Sequence, residues 1–127
     1  MTEKKVFELA NRLLARTRAG TQHWEAGVSD QSFLTAFPKY SVKIGRVADA
    51  DGENWLTVIW IYNEAGSEIE AAREDVLSEK LQGSSRTLSE SLEAARVADV
   101  LKDLYEEARR SALNVEGALD DLLASMQ

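Results

Sequence analysis

The one histidine of the chain, His23, stands beside Trp24 in the run Thr21-Gln22-His23-Trp24. An imidazole titrates near neutral pH and could act as a general base, but a lone histidine at a strand start is more often surface or hydrogen-bonded structure. With a single histidine and no cysteine, multi-histidine and thiolate metal sites are excluded, and so are thiol catalysis and disulfides. Asp49-Ala50-Asp51-Gly52 has the look of a calcium loop, in which a glycine occupies position six and a glutamate position twelve. Aligning Gly52 with position six puts Val47 first and Val58 twelfth, and neither can ligate. The same residues read as the connection of a β-hairpin.

Carboxylates come in pairs, Glu68 with Glu70, Asp99 with Asp103, and Asp120 with Asp121. Acid–base work by two carboxylates requires contrasting environments in one cleft, and these pairs fall mostly on faces predicted to lie in water. Lys5, Arg12 and Arg16 follow one flank of the first helical segment, and Lys43 and Arg46 lie on strand segments. Together they could take a phosphate or an acidic partner, or simply form solvated faces. Trp24, Trp55 and Trp60 with Tyr40 and Tyr62 could line an aromatic pocket or fill a core. The candidate ligand-binding set is Trp24, Tyr40, Lys43, Arg46, Trp60 and Tyr62, the rings stacking on a ligand while Lys43 and Arg46 hold an anionic group. There is no glycine-rich phosphate loop, no G-x-G-x-x-G, no His-Glu-x-x-His and no G-x-S-x-G. No catalytic residue, metal or cofactor is therefore assigned.

Residues 3 to 18 place Val6, Phe7, Leu9, Ala10, Leu13, Leu14 and Thr17 within about 160° of a helical wheel, which predicts a core-facing helix ending at Gly20. From Thr21 to Arg73 the period falls from 3.6 to 2. Strand candidates are Gln22 to Glu25, Ser32 to Phe37 ahead of the only proline, Tyr40 to Val47, Trp55 to Asn63, and a weaker one from Ser67 to Ala71. Short loops between them dictate antiparallel pairing. The segment from Arg73 to Ser85 has few apolar anchors, Val76 and Leu81, and reads as a mobile loop broken at Gly83-Ser84-Ser85. Thr87-Leu88-Ser89-Glu90 then fits a capping box. The helix it opens carries the stripe Ala94, Val97, Ala98, Leu101, Leu104, Tyr105, Ala108 and Ala112. Asn114 is placed to cap a last helix striped by Val115, Ala118, Leu119, Leu122, Leu123 and Met126.

The expected architecture is one α+β domain over residues 1–127: a helix at 1–20, an antiparallel sheet at 21–73 of four strands (three to five fit the pattern), a mobile loop at 74–86, and two helices at 87–127 packed on the sheet. A chain of 127 residues with 44% hydrophobic and 29% charged residues can bury one core. The net charge of −7 divides into +1 for residues 1 to 63 and −8 for residues 64 to 127. An acidic chain lacks the positive field that draws nucleic acid, so DNA and RNA are not expected partners. The opening Met1-Thr2-Glu3-Lys4-Lys5 runs into an amphipathic pattern and no stretch approaches a membrane span, which implies a cytoplasmic protein without membrane contact.

Thr17-Arg18-Ala19-Gly20-Thr21-Gln22-His23-Trp24, Tyr40-Ser41-Val42-Lys43-Ile44 and Leu104-Tyr105-Glu106-Glu107-Ala108-Arg109-Arg110 form a T-x-x-G-x-x-x-W, Y-x-V-x-I, L-Y-x-x-A-R-R pattern. It resembles small single-domain α+β bacterial proteins without an assigned activity. The resemblance implies an accessory, mobile-element or defence-associated role and carries over no site.

The strand Trp55 to Asn63 is apolar on both faces, with Trp55, Ile59 and Ile61 on one and Leu56, Val58, Trp60 and Tyr62 on the other. A second apolar face needs a cover, and the flanking Ser41, Lys43 and Gly45 suit a partly polar contact. Leu56, Val58, Trp60 and Tyr62 are thus the expected interface of a homodimer. The leading functional expectation is a non-enzymatic interaction module that binds itself and a further protein. A sensor or sequestering protein for a nucleotide-like or other anionic small molecule is the alternative, and a carboxylate hydrolase comes third.

Overall fold

The computed structural model describes residues 2–28, 31–82 and 88–126. In chain order they form helix α1 (Thr2–Arg18), strands β1 (Glu25–Ala26), β2 (Ser32–Ala36), β3 (Tyr40–Ala48), β4 (Trp55–Asn63) and β5 (Glu68–Arg73), then helices α2 (Glu74–Gln82), α3 (Leu88–Ala112) and α4 (Val115–Ser125). The strands make one five-stranded antiparallel meander in chain order. The fold is therefore α+β, a helix, an antiparallel sheet and then helices.

Helix α1 buries Val6, Ala10, Leu13, Leu14 and Thr17. It ends because Gly20 turns left-handed at φ 78°, letting the Thr21 N–H reach the Arg16 carbonyl at 2.9 Å and the Gly20 N–H reach that of Thr17 at 3.1 Å. The β3–β4 and β4–β5 turns are each organised by a side chain at their start. The Asp49 carboxylate accepts the N–H groups of Asp51 and Glu53, and the Asn63 side-chain oxygen accepts those of Ala65 and Ser67.

Register decides which side of the sheet is dry. In β3 and β4, Ile44 lies opposite Ile59 and Val42 opposite Ile61. Val42, Ile44, Ile59 and Phe33 of β2 form one buried cluster, with Ile61 at its edge, together with α1, with Leu77 of α2, and with Val97, Leu101, Leu104 and Ala108 of α3. The Phe33 and Tyr105 rings meet at 5.5 Å between centroids, tying β2 to α3. Helices α1, α2 and α3 thus share one face of the sheet.

Three expectations change. Residues 74–82, read as part of a loop, are helical. Leu77, 2% exposed, enters the core and has Leu81 one turn on at its edge, while Glu74 and Asp75 favour the positive end of the helix. The proposed break at Gly83-Ser84-Ser85 and the capping threonine Thr87 lie outside the described residues. Asn114 is not a side-chain cap. It adopts a left-handed conformation, φ 50° and ψ 52°, with no side-chain bond to the helix, and so turns the chain sharply between α3 and α4. Finally, α4 buries none of its residues.

Candidate functional site

Alternation along the strands sends Ser41, Lys43, Gly45 and Val47 of β3 to the side away from the helices, with Leu56, Val58, Trp60 and Tyr62 of β4 and Leu34 of β2 beside them. Lys43 lies directly across from Trp60, flanked on its other side by Leu34. Its ammonium sits 4.2 Å from the centroid of the Trp60 ring and 5.6 Å from that of Tyr62. Gly45 makes this arrangement fit, since a β-carbon there would come within 3.2 Å of Trp60 Cζ3 and 2.8 Å of the Gln31 carbonyl. Val58, opposite Gly45, is buried outside the helix-side core, and Leu34, Lys43, Leu56, Trp60 and Tyr62 are half-buried. Val28, Ser32, Leu34, Ser41, Lys43, Tyr62 and Gly66 bound a shallow groove of about 440 Å³ on this face.

The six candidate ligand residues are thus divided. Lys43, Trp60 and Tyr62 come together on the open face. Arg46 points the other way, three residues on from Lys43. Its guanidinium lies 4.6 Å from the Tyr105 ring and 5.8 Å from that of Trp55, and donates to Gln31 Oε1 at 2.7 Å, an atom that also accepts the Tyr105 hydroxyl. Tyr40 is exposed at the start of β3 on the Arg46 side. Trp24 is a core residue, 3% exposed, whose indole N–H donates to Thr17 Oγ1 at 2.9 Å. The expected interface residues Leu56, Val58, Trp60 and Tyr62 all share the open face. Leu34 and Gly45 belong to it as well, and the register opposite Lys43 and Val58 is what identifies them.

His23 is exposed and borders two open clefts, one of about 540 Å³ with Arg16, Glu25, Thr35 and Phe37, the other of about 500 Å³ with Arg18, Glu107 and Arg110. Its carbonyl accepts the Thr35 hydroxyl at 2.9 Å, and that hydroxyl in turn accepts a hydrogen bond from buried Gln22. Lys5, Arg12 and Arg16 are exposed on α1, across the sheet from Lys43, so these cations form no single patch. The Asp99, Asp103, Asp120 and Asp121 carboxylates face solvent, as does Glu68. Asp49 lies below its ordinary carboxylate range because the Asn54 side chain donates to it, with backbone N–H groups of its loop adding to the effect. Among the described residues no group of three or more His, Asp or Glu is arranged to hold a metal ion, and no helix is long and apolar enough to cross a membrane.

No protein-family model, curated protein or solved structure matches the chain.

Proposed function

We infer that this chain is a non-enzymatic interaction module that works as a homo-oligomer through the open face of its sheet. The observation that carries this reading is the set Leu34, Leu56, Trp60 and Tyr62, partly in water around the buried Val58, while α1, α2 and α3 lie on the other side. An apolar patch carrying two large rings on a monomer is a site of association, because covering it releases the water that it orders. Trp and Tyr are also the residue types that anchor interfaces most strongly. Sedimentation equilibrium at micromolar concentration tests the reading. A mass of two chains that falls to one in Trp60→Glu, with the far-ultraviolet circular dichroism unchanged, supports it; a wild-type mass of one chain sinks it.

A second reading has its own observation. The Lys43 ammonium held over Trp60 beside the Leu34, Ser41 and Tyr62 groove suits a flat anionic ligand such as a nucleotide. A thermal-shift screen of nucleotides, compared with Lys43→Met, separates the two, since a ligand of the folded state raises the melting temperature by mass action.

A further inference from the structure

Helix α4 ends the described chain with Leu119, Leu122, Leu123 and Met126 exposed at 47, 55, 64 and 79%. With Val115 and Ala118 they fill one side of the helix, flanked by Glu116, Asp120 and Asp121. The helix has no basic residue. It leaves α3 at the Asn114 turn, where the Arg110 guanidinium stands 3.7 Å from Glu116. The chain therefore carries two uncovered apolar surfaces, the α4 stripe and the open sheet face.

Building on the reading above, we propose that the open face is covered by α4 of a second copy, two copies exchanging their terminal helices reciprocally. Charge complementarity selects this occupant. Among the described residues Lys43 has no carboxylate partner, only the rings beneath it, and Asp120 and Asp121 have no cationic partner. Laying the stripe over Leu34, Trp60 and Tyr62 brings an acid from its flank to the Lys43 ammonium. The dimensions agree, since an 11-residue helix is about 16 Å long and β2 to β5 span about 14 Å at the usual strand spacing. Two α4 helices packed on each other would instead set acids beside acids with no base to offset them. An anionic membrane surface would repel the same helix, which lacks the Lys/Arg face that such surfaces attract.

A charge-swap experiment on the full chain tests the exchange, with mass read by sedimentation equilibrium and fold by circular dichroism. Lys43→Glu alone and Asp120→Lys/Asp121→Lys alone should each weaken the dimer at least tenfold. An equimolar mixture of the two should restore it, because each α4 then meets a sheet of opposite charge on the other variant. Variants that dimerise as the wild type does, or a mixture that stays monomeric, overturn the helix exchange while leaving a sheet-mediated dimer standing. A wild-type chain that is monomeric at micromolar concentration overturns both.

Discussion

Thr57 and Glu74 meet where β5 gives way to α2: the Thr57 backbone N–H donates to Glu74 Oε2 at 2.8 Å. The β4–β5 ladder ends at Val58 and Arg73, so the next outward N–H of β4 has no strand to pair with. The first side chain of α2 supplies the missing acceptor, and both residues are buried. Lys102 of α3 stands 3.6 Å from the other Glu74 oxygen, linking sheet, α2 and α3 at one point.

Glu74→Ala should therefore cost about 1–3 kcal/mol, the penalty of a buried N–H left without a partner. Glu74→Gln keeps an acceptor and should cost clearly less. Urea unfolding of the three proteins measures the order, and equal losses in Ala and Gln would mean that the charge next to Lys102, not the hydrogen bond, is what matters.

Gly45→Ala should destabilise the sheet and disturb Trp60 together. The added carbon meets backbone at the Gln31 carbonyl as well as the indole, and backbone cannot swing aside. Overpacking of this kind costs about 1–3 kcal/mol. Near-ultraviolet circular dichroism and tryptophan fluorescence report the ring, and an unchanged Trp60 environment in a destabilised variant would place the strain at Gln31 alone.

The Arg73–Asp75 pair gives a pH-dependent prediction. Arg73 donates to Asp75 from Nε at 2.6 Å and from Nη2 at 3.0 Å. This hydrogen bond is the main reason the Asp75 carboxyl lies below its ordinary 3.8, with the Val76 N–H helping and partial burial opposing. A carboxyl depressed on folding stabilises the fold above its unfolded pKa, and the contribution disappears as pH falls through the depressed value. The melting-temperature gap between wild type and Asp75→Asn should thus be small at neutral pH, as both side chains are half exposed, and should close on acidification. A gap that widens on acidification would reverse the assignment.

Period-two alternation made β3 legible, a continuous apolar run between turn residues did the same for β4, and the stripe of α1 was equally plain. Helix α2 was not, because nine residues with only Leu77 and Leu81 turned to the core leave too little pattern to distinguish helix from loop. The stripe of α4 could be read, but periodicity says only that a face is apolar, never what covers it. The division of the aromatic set was partly readable. Lys43 and Arg46 are three apart on one strand and must point to opposite faces. That Trp60 joins Lys43 depends on strand register, and that Trp24 is sealed beneath α1 and α3 depends on tertiary packing, which local sequence does not encode.

Trp24 and Thr17 support the last prediction. The indole N–H donates to Thr17 Oγ1, the Thr17 hydroxyl donates onward to the Leu13 carbonyl at 2.6 Å, and the Trp24 backbone N–H donates to Ser111 Oγ at 3.1 Å. One residue thus fastens α1, the chain leading into β1, and α3. Trp24→Ala should cost about 3–5 kcal/mol through the cavity it leaves in the core. Thr17→Val removes the acceptor and orphans the buried indole N–H, at about 1–3 kcal/mol. With Trp24→Phe in the background there is no N–H to orphan, so Thr17→Val should cost less there than in the wild type, and the double variant should be more stable than the two single losses summed. Equilibrium unfolding of the four proteins closes the cycle, and strictly additive losses would show that the Trp24–Thr17 hydrogen bond contributes nothing to the fold.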